Sequence, residues 1–219
     1  ALLEQIYTKQ AYELLKKYEF KNLLNKFEEV KEEQAPAYQS VDLANVERAI
    51  EECSQSSLIG ISVEKIQPSK TEYHIQFQFA SEEVGYLYEA DDNEIERSKI
   101  TQWVETLCHF GKTIVSPNLK SVVQICHTAE QEEMFDCKLA AYLLNPLQSA
   151  YDYEDIARDY LRQMLPSRKE VCGKKALEEV FSQEEEKTVQ MAAYLSYVPF
   201  HAYPLVLEKL REAEMEELY

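Results

Sequence analysis

Positive charge is scarce in this chain. Twenty-three Lys and Arg stand against forty Asp and Glu, a formal net charge of −17 over 219 residues. Nucleic-acid affinity comes largely from Lys and Arg displacing phosphate counterions, so a field of this sign repels a polyanion. A local basic patch stays open, but the chain alone is expected to bind DNA weakly or not at all. Long apolar runs are missing too: nothing approaches the roughly 20 residues that cross a bilayer, and no signal peptide is legible. No membrane association is expected. The five cysteines, Cys53, Cys108, Cys126, Cys137 and Cys172, are odd in number and form no CxxC. That speaks against a disulfide framework and fits a reducing cytoplasm. They read either as small buried hydrophobes or, for Cys108-His109 and Cys126-His127, as zinc ligands, although adjacent pairs converge poorly on a tetrahedron. Hydrophobic content of 45% and charged content of 29% are ordinary for a globular protein, and the length suffices for a substantial core.

Periodicity supplies the elements. Leu3, Ile6, Leu14, Leu15, Tyr18, Leu23, Leu24 and Phe27 recur at helical spacing over 1–27, and the charged run 28–33 with Ala35-Pro36-Ala37 reads as a linker. Asp42 is a candidate N-cap for a helix over 43–53. Strands are predicted at 58–63, short and β-branched; at 73–79, where alternation predicts one buried face; and at 84–88. Turn-rich segments between them predict an antiparallel meander. A helix over 95–110, a fourth strand at 113–116 and a helix over 118–126 follow. The remainder reads as helix at 136–144, 153–161, 176–181 and from 184 to the end. This is an α/β order. Trp103, in the middle of a helix, offers a stacking surface or a core side chain.

Several stretches carry a family resemblance. Phe135-Asp136-Cys137-Lys138-Leu139-Ala140-Ala141-Tyr142-Leu143-Leu144-Asn145-Pro146, followed by Tyr151-Asp152-Tyr153-Glu154-Asp155-Ile156-Ala157, resembles a helix pair in the 3′–5′ exonuclease domain of bacterial DNA polymerase I, a family A polymerase. Leu14-Leu15-Lys16-Lys17-Tyr18-Glu19-Phe20-Lys21-Asn22-Leu23-Leu24 is similar to that family's junction between 5′-nuclease and proofreading domains. Glu208 to Tyr219 is similar to its helix leading into the polymerase domain. The motifs occur in family order. The resemblance implies a ribonuclease H-like 3′–5′ exonuclease fold: a mixed sheet whose first three strands are antiparallel, flanked by helices. It divides the chain into a helical junction over 1–36 and an exonuclease-like domain over 37–219. The start at Ala1 and the run ending at Tyr219 are expected to mark a piece of a longer chain.

The family's chemistry is hydrolysis of a terminal phosphodiester by two divalent metals roughly 3.5–4 Å apart. Hard cations need converging oxygen ligands. The family supplies an Asp-x-Glu on the first strand, an Asp in an Asn-Leu-Lys-Tyr-Asp run after the fourth, and an Asp in a late Tyr-x-x-x-Asp. This sequence has Ser62-Val63-Glu64 for the first and Asn118-Leu119-Lys120-Ser121-Val122 for the second. For the third it has Tyr194-Leu195-Ser196-Tyr197-Val198. Ser62, Val122 and Val198 therefore replace three carboxylates, and Glu64 alone survives. Two valines hold no cation.

The resemblance thus implies a vestigial site at Ser62, Glu64, Val122, Tyr194 and Val198, with no metal and no cofactor for this segment. Mg²⁺ would serve only the polymerase domain of the parent. Asn118 and Lys120 are weak DNA-contact candidates. Asp136, Asp152, Asp155 and Asp159 are candidates for a relocated acidic cluster, against the reading of helix caps and solvated faces. The function expected is that of a monomeric, cytoplasmic scaffold without catalytic activity of its own. Its partners would be the flanking 5′-nuclease and polymerase domains of a DNA-directed DNA polymerase used in replication and repair, with DNA reached through the parent. An active exonuclease with unconventional ligands and an acidic protein-interaction module are the alternatives.

Overall fold

The computed structural model describes residues 14, 15, 18, 20, 38–66, 71–82, 84–108, 112–126, 134–163, 165–172 and 185–218. Of the expected 1–27 helix, Leu14 and Leu15 are helical, Tyr18 is in a turn and Phe20 is in neither helix nor strand; its other residues, the 28–37 linker and the expected 176–181 helix lie outside the described residues.

Six strands form one mixed sheet. They are β1 (Tyr38–Val41), β2 (Leu58–Ile66), β3 (His74–Ala80), β4 (Gly85–Asp91), β5 (Thr113–Ser116) and β6 (Met134–Asp136), in the order β1-β4-β3-β2-β5-β6. The β2–β3–β4 meander is antiparallel as expected. β1 adds parallel to β4, and β5 and β6 extend the other side parallel to β2. Neither β1 nor β6 is among the predicted strands. β1 occupies part of what reads as the approach to the first helix, and β6 is only three residues long.

The helices among the described residues are α1 (Val46–Cys53), α2 (Glu94–Cys108), α3 (Leu119–Cys126), α4 (Cys137–Leu144), α5 (Tyr153–Ile156), α6 (Arg168–Cys172) and α7 (Glu185–Glu212). Asp42 does not cap α1. Its Oδ1 accepts from the Ala44 and Asn45 backbone N–H groups and fixes a turn ahead of the helix. The helix predicted over 153–161 is α5 followed by a π-helical turn, Ala157–Leu161, which ends at Arg162 in the left-handed region, φ 60°. The last helix also stops short of the chain end: Glu214 takes φ 55°, and a 3₁₀ turn, Glu216–Leu218, follows. No helix among the described residues is long and apolar enough to cross a membrane.

Alternation along the strands builds two cores. Ile59, Ile61 and Val63 of β2, Ile75, Phe77 and Phe79 of β3, and Tyr86 and Tyr88 of β4 pack on one face against α1, α2 and α3. Trp103 is a core residue of this layer, its ring edge-on to Tyr88 with centroids 5.0 Å apart. Cys53 and Cys126 are buried in the same layer, each thiol pushed up to about 12 by burial. His109 and His127 lie outside the described residues. The second core gathers Val115, α4, α5, the π turn and α7. α7 crosses this face because Gly60 leaves room for it: a Cβ there would overlap the Ser196 carbonyl and come within 3.2 Å of the Phe200 Cβ. Pro199 and Pro204 lie inside α7, and each removes one backbone donor from the helical ladder. β3 departs from the expected single buried face, since Gln76 and Gln78 are as buried as the apolar residues between them.

Candidate active site

The strand face that turns toward α7 carries the surviving glutamate. Side chains alternate across a strand, so Ser62 and Glu64 share the face of Gly60, the glycine under α7. Ser62 is opposite Gln78, and Glu64 is opposite Gln76. A polar ladder continues across the sheet. Gln78 donates to Gln76 Oε1 at 3.3 Å, Gln76 donates to Glu89 at 2.8 Å, and His74 Nδ1 is 2.9 Å from the other Glu89 oxygen. Gln78 Oε1, fully buried, accepts no hydrogen bond from a described residue.

Glu64 opens into a cleft of about 250 Å³. Its wall is assembled from six elements: Glu64 of β2, Pro117 and Asn118 ahead of α3, Lys138 of α4, the 151–154 segment entering α5, Arg168 of α6 and Leu195 of α7. One carboxylate orders much of this wall. Asp136 Oδ2 accepts from the Leu119 N–H and Oδ1 from the Leu139 N–H, both at 2.9 Å, so a single side chain joins the starts of α3 and α4. Burial raises its carboxyl above the usual range against the opposing pull of these donors. Across the cleft, Asp152 and Asp155 form a capping box at the start of α5.

Two ion pairs line the cleft. Arg168 Nη2 is 3.6 Å from Glu64 Oε2, and Lys138 Nζ is 3.2 Å from Asp152 Oδ1. Asp152, Glu154 and Asp155 bring carboxylate oxygens within 4.8 Å of one another, the group among the described residues with metal-ligand potential. Asp155 is held at 2.7 Å by Arg158, which also contacts Asp159 at 2.9 Å. Burial works against the Arg158 charge, but these two carboxylates outweigh it and raise its pKa.

The sequence-derived residues distribute as follows. Glu64 and Asn118 line the cleft. Ser62 is 2% exposed on β2. Val122 is fully buried in the core beneath α2 and α3, whereas Val198 is fully buried in the core beneath α7, so the two valines belong to different clusters. Tyr194 is buried in the second core, stacked on Tyr153 with centroids 5.6 Å apart and receiving a hydrogen bond from Gln190. Lys120 is exposed. Of the acidic-cluster candidates, Asp152 and Asp155 come together, with Glu154 as a third member that sequence reasoning missed; Asp136 caps α3 and α4 instead. Arg168 and Lys138 were also missed. Lys138 stands in the quoted motif and had a signal to follow, while Arg168 had none.

A metal pair requires several converging oxygen donors. At the four positions matched to the family's ligands the chain offers one hydroxyl, two hydrocarbons and one carboxylate already facing a guanidinium. These side chains do not fit two divalent cations.

No family model and no curated protein matches the sequence. Solved structures do. The chain superposes on the Nibbler EXO domain of Aedes aegypti with a TM-score of 0.59 at 10% identity, covering 81% of this chain and 90% of that one. It superposes on NrnC of Brucella melitensis with a TM-score of 0.57 at 11% identity, covering 84% and 85%. A structure of NrnC with bound Mg²⁺ gives 0.52 at 12% identity, covering 84% and 86%. The POL domain of Pol1 from M. smegmatis, in complex with DNA primer-template and dNTP, gives 0.51 at 16% identity; the match covers 81% of this chain and 28% of that one. The chain therefore has the ribonuclease H-like 3′–5′ exonuclease fold.

Proposed function

We propose that this chain is an exonuclease-fold domain that has lost its metal-dependent chemistry and serves as a rigid spacer in a bacterial DNA polymerase I. In this reading it sits between the 5′-nuclease and polymerase domains and orients them. Templated nucleotide addition, with its Mg²⁺, belongs to the polymerase domain, and DNA is reached through the parent. The reading is supported by one observation above others: Val122 and Val198, which the sequence resemblance aligns with two of the family's carboxylates, are fully buried in hydrophobic cores. A carboxylate cluster without metal suffers mutual repulsion that raises its pKa values. Valines at the same positions contribute burial, roughly 1.5–3 kcal/mol each. The order of the motifs supports the polymerase I assignment, and the likeness to Pol1 is compatible with it.

The rival reading, an active nuclease with unconventional ligands, would draw on Glu64 and the Asp152–Glu154–Asp155 group across the cleft. A 3′-labelled single strand, incubated with the protein in Mg²⁺ and then Mn²⁺, separates the two. The scaffold reading expects no release of mononucleotides above a protein-free control. Release that disappears in Glu64→Ala or Asp152→Asn would overturn it.

A further inference from the structure

If the metals are gone, Glu64 still faces a cleft beside other carboxylates, and its charge needs a counterpart. We propose that Arg168 is that counterpart: a built-in cation opposite Glu64 that takes over the neutralising role of a divalent ion and makes the cleft independent of metal. The inference rests on the metal-loss reading and adds the residue that replaces the metal.

The local structure delivers Arg168 to this position. Tyr153 of α5 donates its hydroxyl hydrogen to the Pro166 carbonyl at 2.5 Å, tying the approach to α6 onto the cleft wall. The Ser167 N–H and hydroxyl both donate to Glu170 Oε2 at 2.8 Å, and the Glu170 N–H returns to Ser167 Oγ at 3.3 Å. This capping box starts α6, and Arg168 is its first residue. From there its guanidinium reaches Glu64 Oε2 at 3.6 Å, with 19% of the Glu64 side chain exposed. A guanidinium suits the task because it stays protonated at every accessible pH and presents a broad, weakly hydrated cation. Lys138 plays the parallel part for Asp152 at 3.2 Å on the opposite wall. Both cations line the same cleft as the carboxylates.

The test is thermal unfolding of the full chain with and without millimolar Mn²⁺. In the native protein, Mn²⁺ is expected to leave the midpoint unchanged. Arg168→Gln should lower the midpoint by about 1–3 °C, the scale of one partly exposed ion pair. It should also make the protein responsive, with Mn²⁺ restoring the loss by binding the folded state. Glu64→Gln combined with Arg168→Gln should abolish that response, and Arg168→Lys, which keeps the cation, should remain unresponsive. An Arg168→Gln protein that ignores Mn²⁺, or a double variant that still responds, would overturn the role of Arg168 and leave the metal-loss reading standing. Stabilisation of the native protein by Mn²⁺ would overturn the metal-loss reading itself.

Discussion

At the scale of the residue, the contrast between two valines and one glutamate carries the functional argument. Val122 belongs to the first core and Val198 to the second, and both are fully enclosed. A carboxylate introduced at either position would lose the valine's burial, about 1.5–3 kcal/mol, and would pay a desolvation cost of similar order or larger. Val122→Asp and Val198→Asp are each expected to lower stability by roughly 3 kcal/mol or more at pH 7. The sign of the pH dependence follows. An enclosed Asp has its folded-state pKa raised above the unfolded value of about 3.9. The ionisation part of its penalty is therefore absent well below pH 4 and grows as pH rises from there to the raised value, while the lost burial remains at every pH. Urea midpoints at pH 7 and pH 4 test this. Midpoints equal to the native protein's at pH 7 would show that the positions are not closed to a carboxylate.

At the scale of the element, α7 is the piece on which the second layer depends, and Gly60 is where it seats. A methyl group at position 60 meets the Ser196 carbonyl, which is helix backbone and has no side-chain freedom with which to yield, and the Phe200 Cβ at 3.2 Å. Overpacking costs typically about 1–3 kcal/mol, and Gly60→Ala is expected at the upper end, with faster amide exchange in α7 than in α2. Exchange rates that rise equally in both helices would show that α7 is not displaced on its own. The elements also show what was legible in sequence. β2 to β5 and α2 to α4 follow from alternation, helical spacing and turn residues. β1 (Tyr-Gln-Ser-Val) and β6 (Met-Phe-Asp) are too short to carry a period, and they are strands only because β4 and β5 offer them parallel edges. Gln76 and Gln78 read as the solvent side of β3, and α7 covers them. The candidate site divides likewise. Glu64 and Asn118 stand in local motifs, whereas the Arg168–Glu64 pair joins residues far apart in sequence and needs the tertiary fold to exist.

At the scale of the whole molecule, the charge of −17 sets how the protein behaves in salt. Self-repulsion of that size opposes the compact state, and added salt screens it: the Debye length falls from about 30 Å at 0.01 M to about 8 Å at 0.15 M. Salt also weakens the stabilising pairs, but several of these are sheltered. Asp92, whose side chain is 5% exposed, is held by Arg97 at 2.6 Å and Lys65 at 2.7 Å, and Arg158 binds Asp155 at 2.7 Å with both largely enclosed. Enclosed pairs are screened much less than distant surface charges. The repulsive term should thus lose more than the attractive one, and the thermal midpoint should rise on going from 0.01 M to 0.15 M NaCl. An increase of about 2–4 °C corresponds to about 1 kcal/mol at this chain length. A falling midpoint would mean that local pairs outweigh the net field. It would also weaken the view that this acidic surface repels nucleic acid, because the field invoked in both cases is the same.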